Sequence, residues 1–141
     1  MSVGVLLVTH PGVGSAMLHI VMRIIGSSSL PIKCLEVPPD AALDPVTERA
    51  HSMLKVLDRG AGVLVLTDLY GATPHNVAQE IACGRAGLSV LSGLNLPMLL
   101  RIFNYPEDDL ETLASKAAEG GNRGIMSCPL QSVPAAREQK G

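Results

Sequence analysis

The chain has 141 residues, 47% hydrophobic and 17% charged, with 11 basic against 13 acidic side chains and a formal net charge of -2. That is the length of one ordinary domain, with enough apolar surface to offset its ordering entropy. The lack of a basic excess and an aromatic share of 2% disfavour nucleic-acid binding, and the short apolar runs with no basic segment before the first of them exclude a membrane span and a signal peptide.

Val3 to Thr9 is short, apolar and β-branched, which suits a strand covered on both faces. Gly12 and Gly14 break it, and Ser15 to Ile25, apolar almost all round, reads as a largely buried helix closed by Gly26. Ile32 to Val37 is a second strand, stopped by Pro38 and Pro39. Asp44-Pro45 reads as cap and first residue of a helix that carries Val46, Ala50, Met53, Leu54 and Leu57 on one face and ends at Gly60. Gly62 to Thr67 is a third buried strand. Thr73-Pro74 repeats the cap-and-proline start, and its helix ends at Gly84. Leu88 to Ser92 is a fourth strand, Asn95 to Phe103 a helix, and Asp108 to Glu119 another helix. Ile125 to Cys128 reads as a last strand, and the residues after Pro129 as a frayed polar tail. The expected units are therefore a domain over 1–128 and a tail over 129–141.

Alternating short strands and helices predict an α/β fold of three layers, with a mainly parallel sheet and right-handed crossovers. In such sheets chemistry sits beyond the carboxyl ends of the strands, at the switch point of strand order. Three segments occupy those ends: Thr9 to Gly12, Asp68 to Asn76 and Gly93 to Pro97. His10 and Asp68 follow the first and third strands at the same offset, flanking the switch point of a 2-1-3-4 order, so their side chains can meet. A carboxylate on the imidazole Nδ1–H fixes the tautomer and leaves Nε2 as a nucleophile. Glycine- and threonine-rich loops leading into helix N-termini suit an anion, and the Thr9 and Thr73 hydroxyls can donate to it. Phosphoryl transfer through a phosphohistidine is the chemistry this permits.

Plainer readings stand beside these. His10 can be a loop residue without consequence, Asp68 the opener of an Asx turn, and Thr73 and Asn95 simple helix caps. His19 reads as a structural hydrogen-bonder on a buried helix, His51 as solvated, and His75 as a neighbour of the site. Gly12-x-Gly14 with Glu36 at the end of the second strand is a faint dinucleotide pattern that Met17 obstructs, and Ser15 lacks a hydrolase elbow. Cys34, Cys83 and Cys128 form no CxxC pair, and no His or Cys spacing suits a metal. They read as buried free thiols in a reducing cytoplasm.

Three motifs in order carry a resemblance: Thr9-His10 within residues 5–26, Asp68-x-x-Gly71-x-Thr73-Pro74-x-Asn76 within 62–76, and Gly93-Leu94-Asn95-Leu96-Pro97-Met98-Leu99 within 90–99. From about Val3 to Cys128 the chain resembles the mannose-type enzyme IIA domain of the bacterial sugar phosphotransferase system. The resemblance implies that His10 accepts a phosphoryl group from the phosphocarrier HPr and passes it to a IIB partner. It implies that Asp68 holds that histidine and that Thr73, with Thr9 and Gly71, faces the phosphoryl group. It further implies a 2-1-3-4 parallel sheet, a homodimer exchanging a C-terminal strand at about Gly124 to Cys128, a cytoplasmic location, and no metal or organic cofactor in the transfer. Two positions depart from the family. Pro11 stands where a glycine is frequent and removes a backbone N–H, and Tyr70 stands where tryptophan is frequent. No IIB domain follows, so the acceptor would be a separate protein. The same residues also fit the phosphotransfer subunit of a dihydroxyacetone kinase, a regulatory module read out by its phosphorylation state, and a small-ligand binding protein.

Overall fold

A computed structural model describes residues 1–130. Four parallel strands, β1 (Gly4–Thr9), β2 (Ile32–Glu36), β3 (Val63–Thr67) and β4 (Leu88–Leu91), form one sheet in the order β2-β1-β3-β4. Among the described residues five helices accompany them: α1 (Val13–Ile25), α2 (Leu43–Leu57), α3 (Thr73–Ala82), α4 (Leu96–Phe103) and α5 (Leu110–Arg123). The expected α/β architecture and strand order are both present.

Strand alternation explains the layers. Leu6, Val8, Val63 and Val65 point to one face and pack with Ala50 and Leu54 of α2 and Val77, Ala78 and Ile81 of α3. Val5, Leu7, Leu64 and Leu66 point to the other and meet Val21 of α1, Met98, Leu99 and Ile102 of α4, and Leu113 and Ala117 of α5. Both central strands are buried along their whole length, as their continuous aliphatic runs require.

Several expectations on the elements need correction. Helix α1 buries only Gly14 and Val21, while Ile24 is 62% exposed and His19 and Arg23 face outward. Lying on the outside of the sheet, it needs one buried stripe, and the apolar residues elsewhere on it remain uncovered in the single chain. Asp44 and Thr73 are not caps: Ala42 and Ala72 precede their helices, and both residues lie within the first turn. Asn95 and Asp109 do cap, accepting from the backbone N–H of Met98 and Thr112. His51 is half-buried, its Nδ1 3.2 Å from Arg85 Nη1. Helix α5 runs on to Arg123, and residues 125–128 form no strand within this chain. Most of the predicted tail, residues 131–141, lies outside the described residues.

The thiols also differ from expectation. Cys83 and Cys128 are exposed, and only Cys34 is partly buried. Burial, reinforced by the nearby Glu36 carboxylate, pushes the Cys34 thiol up to about 11. At about pH 8 a thiol-specific reagent is therefore expected to modify Cys83 and Cys128 readily, and Cys34 about a hundredfold more slowly. Peptide mapping of the labelled protein checks this, and rapid labelling of Cys34 contradicts it.

Candidate active site

The two central strands end side by side, with Val8 opposite Thr67. His10 and Asp68 lie just beyond those ends on neighbouring strands. Asp68 Oδ2 accepts from the His10 backbone N–H at 3.0 Å and meets the ring Nδ1 at 2.8 Å. One carboxylate oxygen thus fixes both the chain entry and the ring orientation of the histidine. Burial alone would push the Asp68 carboxyl up, but the hydrogen bonds and charge of His10 outweigh it and hold it below the usual carboxylate range. Ionised Asp68 makes Nδ1 the protonated nitrogen and leaves the lone pair on Nε2. The His10 side chain is 33% exposed against 12% for Asp68, so the orienting group is the more enclosed of the two.

The loop from His10 to Val13 is a tight turn closed by Val13 N–H on the His10 carbonyl. Gly12 takes the left-handed conformation there, with φ 85°. Thr9 is fully buried; its hydroxyl donates to the His10 carbonyl and accepts from Gly14 N–H, both at 2.9 Å. It is therefore occupied in shaping the turn. The Asp68 loop turns at Gly71, φ 83°, whose N–H donates to His75 Nδ1 at 3.1 Å. That imidazole is 5% exposed and lies against the Tyr70 ring, centroids 4.5 Å apart. Nothing stands within 4 Å of where a Gly71 Cβ would be, so the loop leaves open space there. Thr73 sits half-buried on the first turn of α3, and Leu69 and Tyr70 are exposed on the rim.

His10, Asp68 and Gly71 therefore lie on the two loops at the carboxyl edge and Thr73 on the helical turn that follows the second, while Thr9 points inward. Two residues of the neighbourhood escaped the reading as parts of the site. His75 contributes by fixing Gly71. Glu36, at the end of β2, accepts from Ser15 Oγ at 2.6 Å and Ser15 N–H at 3.1 Å. It closes the first turn of α1, whose own N-cap residue offers no side chain. With Val13 N–H on the His10 carbonyl, Gly14 N–H on Thr9 and Ser15 N–H on a carboxylate, the start of α1 is poorly suited to a dinucleotide pyrophosphate, which argues against that reading. Among the described residues no group of three or more His, Cys, Asp or Glu is placed to hold a metal ion.

Fold and site together define an open parallel α/β protein that presents a carboxylate-oriented histidine at the carboxyl edge of its sheet. Residues 4–118 match the EIIA-man family, described as PTS system fructose IIA component, and the chain belongs to that mannose-type IIA family of the sugar phosphotransferase system. It is similar to the mannose-specific EIIAB component of Escherichia coli K12, 25% identical over 96% of this chain and 42% of that protein. It is also similar to the fructose-specific EIIA component of Bacillus subtilis, 31% identical over 46% of this chain and 44% of that one. The chain thus spans less than half the length of the curated relatives it matches. Among solved structures, the mannose/sorbose specific IIA subunit of Enterococcus faecalis superposes with a TM-score of 0.80 at 25% identity, over 95% of this chain and 100% of that one.

Proposed function

We propose that this protein is a phosphocarrier: His10 accepts a phosphoryl group from phospho-HPr and hands it to a separate IIB-type acceptor, in sugar uptake or its regulation. The observation that carries the reading is the 2.8 Å contact between His10 Nδ1 and Asp68 Oδ2 with the ring partly open to a partner. In the loading step the N–P bond of the donor phosphohistidine breaks and its electron pair stays on the donor nitrogen. The Nε2 lone pair of His10 forms the new N–P bond, and the Nδ1 proton remains against Asp68. The ring gains positive character as the bond forms, and the adjacent carboxylate stabilises it. Thr73 and the open ground at Gly71 are the proposed phosphoryl-facing positions, with Thr9 holding the turn from beneath. Transfer to the acceptor is the same exchange in reverse, and no metal or organic cofactor enters it.

Incubation with phosphoenolpyruvate, enzyme I and HPr is the test. Intact-mass analysis should show the gain of one acid-labile phosphoryl group; an unchanged mass ends the reading.

We further propose a homodimer that exchanges its C-terminal strand, with the domain over 1–128 and the tail over 129–141. Ile125 is 84% exposed next to α5, and β4, which among the described residues pairs with β3 alone, offers an edge for pairing. Light scattering should give twice the chain mass, and a monomer at micromolar concentration contradicts the exchange. A cytoplasmic location fits the exposed thiols Cys83 and Cys128. Among the described residues no helix is long and apolar enough to cross a membrane.

A further inference from the structure

The edge that carries His10 has an uneven charge distribution. The four strands are followed by residues 10–12, 37–42, 68–72 and 92–95, and these hold Asp40 and Asp68 but neither lysine nor arginine. Glu36, the last residue of β2, adds a third carboxylate. Its backbone flanks the site directly: Thr9 and Glu36 are paired in register, and Val37 N–H donates to the Thr9 carbonyl at 2.8 Å. Its side chain is pinned by Ser15 Oγ and Ser15 N–H. The Ser15 hydroxyl, with the backbone N–H groups of Gly12 and Ser15, holds the carboxyl below the usual range, so it is ionised at neutral pH. The turn from His10 to Val13 is short and closed, which fixes this charge relative to the imidazole.

Two consequences follow from electrostatics. The first amides of α1, the nearer helix N-terminus to His10 in sequence, are already engaged: Val13 N–H by the His10 carbonyl, Gly14 N–H by the Thr9 hydroxyl and Ser15 N–H by the Glu36 carboxylate, which places a negative charge where a phosphoryl group would otherwise find donors. A phosphoryl group on Nε2 also adds roughly two negative charges to an edge that already holds like charge. We propose that Glu36 sets the phosphoryl-transfer poise of His10, raising the free energy of the loaded form and so favouring release of the group to an acceptor. This rests on the phosphocarrier reading and names the residue that tunes it. Glu36 touches neither the imidazole nor the reacting atoms; it is a positioning and charge-setting residue.

The test is the equilibrium of phosphoryl exchange with HPr, read by intact mass at about 0.01 M and about 0.5 M salt. In Glu36→Gln the amide oxygen still accepts from Ser15, so the turn is kept while the charge is removed. At low salt the variant should hold about three- to tenfold more phosphoryl relative to HPr than the wild type. That gap should close at high salt, because the charges are partly exposed and screened. Ser15→Ala, which loosens the contact but keeps the charge, should stay close to the wild type. An unchanged or opposite equilibrium in Glu36→Gln, a shift equal at both salt concentrations, or an equal shift in Ser15→Ala overturns the proposal while leaving the carrier reading intact. A wild-type protein that takes no phosphoryl group at all removes that reading and this inference together.

Discussion

Replacing His10 by alanine is expected to abolish phosphoryl acceptance outright, leaving the intact mass unchanged after incubation with phosphoenolpyruvate, enzyme I and HPr. No other histidine can substitute. His75 is nearest in the loop set, but its ring is buried and its Nδ1 already receives the Gly71 N–H. His19 stands exposed on α1, and the His51 Nδ1 faces Arg85 instead of a carboxylate; among the described residues neither meets a carboxylate that would stabilise a charged ring. The fold should survive, because His10 lies beyond the end of β1 and contributes little to either core layer. Asp68 would lose its ring contact but keep the residue 10 N–H, so the circular dichroism spectrum should be unchanged and the unfolding midpoint only slightly lower. A variant that still acquires the label places the nucleophile elsewhere and refutes the assignment.

What could be foreseen from the chain, and what could not, divides by the range of the interactions involved. The runs over residues 5–8 and 63–66, at the heart of β1 and β3, are aliphatic throughout, and a short strand covered on both faces accommodates such a run. The nearness of His10 and Asp68 then follows from counting to within one residue: Val8 pairs with Thr67, so His10 lies one step beyond the position beside Asp68, close enough for its backbone N–H and ring to reach the carboxylate. The inward aim of Thr9, the clasp of His75 on Gly71 and the reach of Glu36 to Ser15 were not legible. The last of these joins residues 21 apart on different elements, and nothing in local spacing announces it. Helix α1 misled for a related reason: apolar residues around its whole circumference define no stripe, so the sequence pattern cannot say which side stays uncovered. Asp44 and Thr73 misled because a proline is tolerated throughout the first helical turn and so does not fix the cap: the helices open at Ala42, three residues before Pro45, and at Ala72, two before Pro74.

Asp68→Asn is expected to lower the rate of phosphoryl acceptance by about two to four orders of magnitude while leaving the protein folded. A single oxygen, Oδ2, receives both the backbone N–H and the ring of His10, while Oδ1 is buried and meets no donor among the described residues. An asparagine amide cannot satisfy this geometry twice. With its carbonyl toward His10 it buries an NH2 group without an acceptor, at about 1–3 kcal/mol. With the NH2 group toward His10 it opposes a backbone N–H and drives the ring proton to Nε2, where it blocks the nucleophile. In neither orientation does a negative charge stabilise the ring as the N–P bond forms. The acid limb of stability should change as well. The Asp68 carboxyl is held below its ordinary value in the folded protein, so its contribution is fully present above the usual aspartate range and is lost as the pH falls through the lower, folded value. Urea midpoints measured from neutral to acid pH should therefore fall less steeply for Asp68→Asn than for the wild type. A variant with wild-type transfer rate and wild-type acid sensitivity would show that the carboxylate neither steers His10 nor is charged beside it.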